Sequence, residues 1–127
     1  MNIFGIGTDI VSVDRIKKSL KKKYFIERIF NEKEILKCKK IIKSVNCYAK
    51  RFAAKEAFSK ALGTGISNGI NFNEIVILNK KSGKPYIVIV GKTKKILDKK
   101  FKGKKSKYSL SLSDEKKYAV AFVTISS

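Results

Sequence analysis

The chain has 127 residues, enough to bury one core and too few for two, so one domain spanning residues 1–127 is expected. Thirty Lys and Arg against ten Asp and Glu leave a formal charge of +20, a field that favours nucleic acid, anionic membrane, phosphorylated ligands or an acidic protein as partner. No His occurs, which excludes Ser-His-Asp and Cys-His catalysis and leaves acid–base work to carboxylates, Lys or water on a metal.

No apolar run reaches the roughly 18–20 residues needed to span a bilayer, so a soluble protein without a membrane partner is expected. The opening MNIFGIGTDIV has no basic segment before it and no small-residue cleavage site, and it reads as a strand rather than a secretory signal. Of the thirty basic residues only Arg15, Arg28 and Arg51 are Arg. Base reading and bidentate phosphate clamps favour Arg, which weakens a sequence-specific nucleic-acid reading. Cys38 and Cys47 are too few for a disulfide framework or a metal site, and they are expected to be reduced thiols in a cytosol-like compartment. An organelle stroma, after removal of a transit peptide, is the alternative.

Residues 2–13 are β-branched and apolar with Gly5 and Gly7 among them, a pattern for a buried strand whose glycines admit another backbone. Asp14 is placed to cap a short basic helix in which Ile16 and Leu20 stand four apart. Phe25, Ile29 and Phe30 anchor a second short helical turn or loop, and Asn31 with Glu34 forms a capping pair opening a helix to about Ile42. Residues 46–62 repeat Ala, Phe and Leu at helical spacing until Gly63 stops them. FNEIVIL (72–78) and KPYIVIV (84–90) flank a turn and predict a hairpin; Lys92 to Phe101 predicts a short basic helix. The alternation in 107–113 and the run 118–125 predict a final hairpin. Helices and strands mix without regular alternation, so the expected class is α+β.

Glu56 and Lys60 are four apart on one helix face. One reading is a surface ion pair worth about 0.3–0.5 kcal/mol. The other is a site, because Phe52, Ala53, Ala57 and Phe58 crowd a carboxylate that is costly to leave unpaired. Asp9, amid IGIGTDIVSV, raises the same alternatives of local turn capping or a site. Two carboxylates with open coordination positions suit Mg²⁺ when phosphate oxygens and water complete the shell. The loop GTGISNG (63–69) follows a helix and so lacks the positive helix end that Walker and Rossmann loops use; a plain Gly C-cap explains Gly63 equally well.

Taken together, GIGTDIV (5–11), RFAAKEAFSKALGTG (51–65) and SLSDEKKYAVAFV (111–123), with RIFNEKE (28–34) and SGKPYI (82–87), resemble holo-acyl-carrier-protein synthase, the small type of 4′-phosphopantetheinyl transferase. The likeness covers nearly the whole chain in order. It implies an α+β homotrimer, one long central helix on an antiparallel sheet, with active sites at subunit interfaces. It implies transfer of phosphopantetheine from coenzyme A to a serine of apo-acyl-carrier protein, releasing adenosine 3′,5′-bisphosphate, in fatty acid biosynthesis. By resemblance Asp9 and Glu56 hold Mg²⁺, with Mn²⁺ an alternative, and Lys60 stands near the phosphates, giving Asp9, Glu56 and Lys60 catalytic roles. Arg51, Gly63, Gly65 and Ser111 match coenzyme contacts. Gly83, Lys84 and Pro85 match a turn reaching the coenzyme from across the interface. Arg15, Phe25 and Arg28 match the region that docks the carrier protein.

One position departs from the pattern: Asp114 stands where members usually have a His at the coenzyme's phosphate end. An Asp there repels a phosphate, so either Lys116 or Lys117 compensates or the contact is lost. For the serine proton the candidates are Glu56 or a metal-bound water oriented by Glu34. Acyl-carrier proteins are acidic, so the basic segment 15–23 is expected to steer docking in a salt-sensitive way. A basic RNA-binding or ribosome-associated module accounts for the charge but not for Asp9 or the Glu56 helix. A relative that binds coenzyme A without turning it over is the other alternative.

Overall fold

The computed structural model describes residues 2–63, 69–102 and 105–127. Strand β1 (Ile3–Ser12) runs directly into three short helices, α1 (Val13–Ser19), α2 (Lys23–Ile29) and α3 (Glu32–Lys39), and then into the longest, α4 (Ser44–Leu62). A 3-10 turn (Phe72–Glu74) leads to β2 (Ile75–Asn79) and β3 (Pro85–Ile89), followed by α5 (Gly91–Lys100), β4 (Lys107–Asp114) and β5 (Tyr118–Ser126). Two antiparallel sheets result, β1-β5-β4 and β2-β3. This is the α+β class expected, with α4 laid across the larger sheet.

Period-two alternation decides which face of that sheet meets α4. Ala119, Ala121, Val123 and Ile125 of β5 point inward and are fully buried, while Tyr118, Val120 and Phe122 point out. On β1 the residues facing α4 are Gly5, Gly7 and Asp9, and the glycines are there because nothing larger fits. A Cβ on Gly5 would stand 1.8 Å from the Ala61 carbonyl oxygen, and one on Gly7 would stand 1.9 Å from that of Ala57. Ala53, Ala57 and Ala61 complete the close approach, all at or near zero exposure. The helix therefore lies down on the strand, which brings Asp9 to the flank of α4.

Beneath α4, Phe58, Ile75, Ile77, Leu97, Val123 and Ile125 form the larger core cluster, and burial of each such side chain is worth about 1.5–3 kcal/mol. Val13, Ile16, Phe30, Cys38, Tyr48 and Ala119 form a second cluster under the short helices. Lys55 joins the elements. Its side chain is fully buried; Nζ donates to Glu34 Oε1 at 2.7 Å and to the carbonyls of Phe72 and Ile75, and it lies 5.7 Å from the centre of the Phe30 ring. Burial pulls the Lys55 ammonium down to about 8, against the pull of Glu34 that favours its charge.

Several local expectations change. Ser12, not Asp14, caps α1, its side chain accepting from Arg15 N at 3.3 Å; Asp14 falls in the first turn, where a negative charge suits the helix dipole. The Asn31–Glu34 capping box is present, but α3 stops at Lys39 instead of about Ile42, because the chain turns back there to start α4. That turn brings Cys38 and Cys47 together, Cα atoms 5.5 Å apart, and they are joined in a disulfide, correcting the expectation of reduced thiols. Nine residues of separation gave no hint that two successive helices would face the two sulfurs at each other. Gly63 ends α4 in the left-handed conformation, φ +79°, as a C-cap requires.

Candidate active site

Asp9, Glu56 and Lys60 come together although they lie on two different elements. Lys60 Nζ lies 3.1 Å from Asp9 Oδ1 and donates to the Thr8 carbonyl at 3.0 Å. Asp9 and Glu56 both line a recess of about 350 Å³ between β1, α1, α2 and α4. Burial pushes the Glu56 carboxyl above its usual range, the negative charge of Asp9 adds to the rise, and Lys60 partly offsets it. Like charges gathered in a half-buried recess favour an arriving cation. No cluster of three or more His, Cys, Asp or Glu side chains able to hold a metal occurs among the described residues. A cation here would rest on two carboxylates and take its remaining ligands from water and phosphate, a donor set that fits Mg²⁺.

Arg15 and Phe25, assigned by resemblance to carrier docking, line the same recess. Phe25 packs on Phe52 with ring centroids 6.0 Å apart, so the apolar wall beside Glu56 is built from α2 and α4 together. Arg28 is exposed on α2 outside this wall. Glu34 takes no part. Its Oε1 accepts from Asn31 N and Lys55 Nζ, and its Oε2 accepts from Ile77 N at 3.1 Å. A carboxylate with three protein donors is committed to the core, and the expectation that it orients a catalytic water is corrected.

Arg51 faces elsewhere. Five helical residues rotate a side chain by about 140°, so Arg51 and Glu56 leave α4 on different sides. Arg51 is 3% exposed; its Nη1 donates to the Cys47 carbonyl and contacts Cys47 Sγ, and its Nη2 donates to Asn79 Oδ1 at 2.7 Å. Its Nε, buried, finds no partner among the described residues. Burial holds the guanidinium below its ordinary pKa, with Glu34 pulling the other way. Arg51 and Gly83 line a cleft of about 680 Å³ that also carries Lys37, Lys43, Lys50, Lys80 and Lys81. This cleft shares no lining residue with the Asp9–Glu56 recess.

The other expected coenzyme contacts are scattered. Gly83 takes φ +94° in the β2–β3 turn, where its carbonyl accepts from Asn79 Nδ2 at 3.0 Å; Lys84 and Pro85 follow it. Ser111 is exposed on the face of β4 turned away from α4. Gly63 caps α4, and Gly65 lies outside the described residues. Asp114 meets neither Lys116 nor Lys117: Lys50 Nζ lies 3.5 Å from its Oδ1, and Asn46 Nδ2 donates to its Oδ2 at 2.9 Å. Lys50 and Asn46 of α4 were missed by sequence reasoning, since nothing marks them among so many lysines and asparagines.

A helix laid on a glycine-relieved strand, with two carboxylates and a lysine at their crossing, defines the class: the chain belongs to the 4′-phosphopantetheinyl transferase superfamily, whose family model matches residues 5–123. Within it the similarity is to the holo-acyl-carrier-protein synthases, and the chain is an enzyme of that transferase family. A holo-[acyl-carrier-protein] synthase of Pelagibacter ubique (strain HTCC1062) is 54% identical over 125 residues, 98% of each chain. The crystal structure of the synthase from Neisseria meningitidis superposes with a TM-score of 0.87 at 41% identity, covering 99% of this chain and 100% of that one. The Helicobacter pylori synthase, solved in complex with coenzyme A, gives a TM-score of 0.79 at 35% identity over 95% of this chain and 99% of its own.

Proposed function

We propose that the chain transfers the 4′-phosphopantetheine arm of coenzyme A to a serine of an apo-acyl-carrier protein, with Mg²⁺, in the service of fatty acid biosynthesis. The observation that carries this is that Asp9 and Glu56 line one recess while Lys60 Nζ stands 3.1 Å from Asp9 Oδ1. The coenzyme A complex of the Helicobacter pylori relative supports the donor, and the names of the relatives support the acceptor.

Asp9 and Glu56 are the residues to hold the cation. Bound there, it supplies charge neutralisation to a diphosphate under attack. Lys60, more than half exposed, is free to turn from Asp9 toward a phosphate and add a second positive charge. Glu56, or a water held beside the cation, is the group placed to accept the serine proton. Phe25 and Phe52 keep one wall of the recess dry, which strengthens these electrostatic terms.

The basic cleft at Arg51 suits the phosphorylated nucleotide end of the coenzyme, yet on one chain it is a separate recess. A trimer in which the cleft of one subunit meets the Asp9–Glu56 recess of another completes the site. The outward face of the larger sheet favours such assembly, with Ile6, Ile10 and Phe122 at 60%, 63% and 43% exposure in one apolar patch. Arg15 beside the recess and the lysines of α1 offer a landing surface for an acidic carrier.

The test is direct. Incubated with coenzyme A, Mg²⁺ and an apo-acyl-carrier protein, the chain is expected to add one phosphopantetheine arm, read by mass spectrometry, and to stop when a chelator is present. Failure to modify any apo-carrier protein under these conditions overturns the proposal.

A further inference from the structure

The basic cleft contains one acid. Lys37, Lys43, Lys50, Arg51, Lys80 and Lys81 line it, and Asp114 stands among them. Six positive charges less one negative leave five. The carboxylate is fixed there from two sides: Lys50 Nζ lies 3.5 Å away, and Asn46 Nδ2 donates to it at 2.9 Å while also donating to the Glu115 carbonyl at 3.0 Å. The Lys50 and Asp114 side chains are 33% and 27% exposed, so the pair sits partly covered at the rim of the cleft, with Asn46 as a second contact. A cleft that serves only to grip phosphate gains nothing from an immobilised carboxylate, whose field opposes every anion that enters.

We propose that Asp114 sets the release of the spent nucleotide, by keeping the grip of the cleft below the level that would retain it. The inference rests on the transferase reading above. In that reaction the serine oxygen forms a bond to phosphorus as the bond to the bridging oxygen breaks, and the bridging oxygen leaves with the electron pair. The serine proton passes to the base. The adenosine portion therefore departs with one negative charge more than it carried as part of the coenzyme. A cluster of cations holds the more highly charged product more tightly than the substrate's adenosine portion, which slows turnover. A fixed carboxylate opposes the product most, because its repulsion grows with ligand charge. Asp114 does this by engaging Lys50 and by adding its own field.

Asp114→Asn keeps the side-chain shape and an oxygen for Asn46 Nδ2, and changes one charge. Calorimetry at low salt is expected to show adenosine 3′,5′-bisphosphate binding tightened on the order of fivefold. In steady-state transfer, kcat and the KM for coenzyme A should fall together, and the difference from the parent should shrink at high salt. The double variant Lys50→Met/Asp114→Asn, which restores the net charge, is expected to bind the bisphosphate near the parental level. Binding unchanged or weakened in Asp114→Asn overturns the proposal and makes Asp114 merely a positioning group for Lys50. A parent chain that neither binds the bisphosphate nor transfers the arm instead removes the transferase reading, and this proposal with it.

Discussion

Glu56 shows at the scale of one residue how a carboxylate kept partly buried beside another weakens the fold that holds it. Its carboxyl is raised by burial first and by the Asp9 charge second. In the free protein the folded state keeps this proton at pH values where the unfolded chain has released it. The resulting stabilisation is fully present below about 4.5, the ordinary value, and is lost as pH rises through the higher folded value. Glu56→Gln cannot ionise. Without divalent cation at neutral pH it is expected to melt roughly 1–3 °C above the parent, a gain of the kind seen when a strained site is relieved. The gain should close near the ordinary carboxylate value, and scanning calorimetry across pH reads it; a gap unchanged in acid contradicts the account. Added Mg²⁺ should raise the melting temperature of the parent and not of the variant, which also loses transfer.

Between elements, the contact that matters most is β1 on α4. Gly7 approaches the Ala57 carbonyl so closely that any side chain there must push strand and helix apart. Gly7→Ala is expected to cost about 3 kcal/mol or more, measured by denaturant unfolding. Because Asp9 follows two residues later on the same face, transfer activity should fall further than the residual folded fraction explains. A variant of parental stability would show that the close approach is not required. Lys55 ties α4 to α3 and β2 from the other side, so Glu56 is held on a helix braced on both flanks.

At the scale of the whole molecule, two features of one chain stand out: the Asp9–Glu56 recess shares no lining residue with the basic cleft at Arg51, and the apolar outward face of the larger sheet lies exposed. In the proposed trimer a neighbouring subunit would complete both. Phe122→Asp places a charge in the centre of that outward face, opposite Thr8 in the pairing of β5 with β1. The expected outcome is a monomer by light scattering with an unchanged far-UV spectrum, and transfer reduced by about two orders of magnitude or more. A Phe122→Asp chain that stays trimeric, or a monomer that works normally, would separate the site from the assembly.

The sequence by itself determined the elements and the candidate pair. Periodicity marked α4 and both hairpins, the capping box at Asn31 and the stop at Gly63 were local chemistry, and Gly5 and Gly7 announced a close backbone contact. Asp9 and Glu56 stood out because carboxylates in apolar surroundings need a partner. Only the tertiary structure decided which charges meet. It buried Lys55 on Glu34, turned Lys60 to Asp9, set Lys50 against Asp114, separated the Arg51 cleft from the Glu56 recess, and joined Cys38 to Cys47. The reason is physical: backbone preference and hydrophobic period act over a few residues and are written in order along the chain. Pairing among thirty cations and ten acids depends on distances through space, and those exist only once helix and sheet have packed.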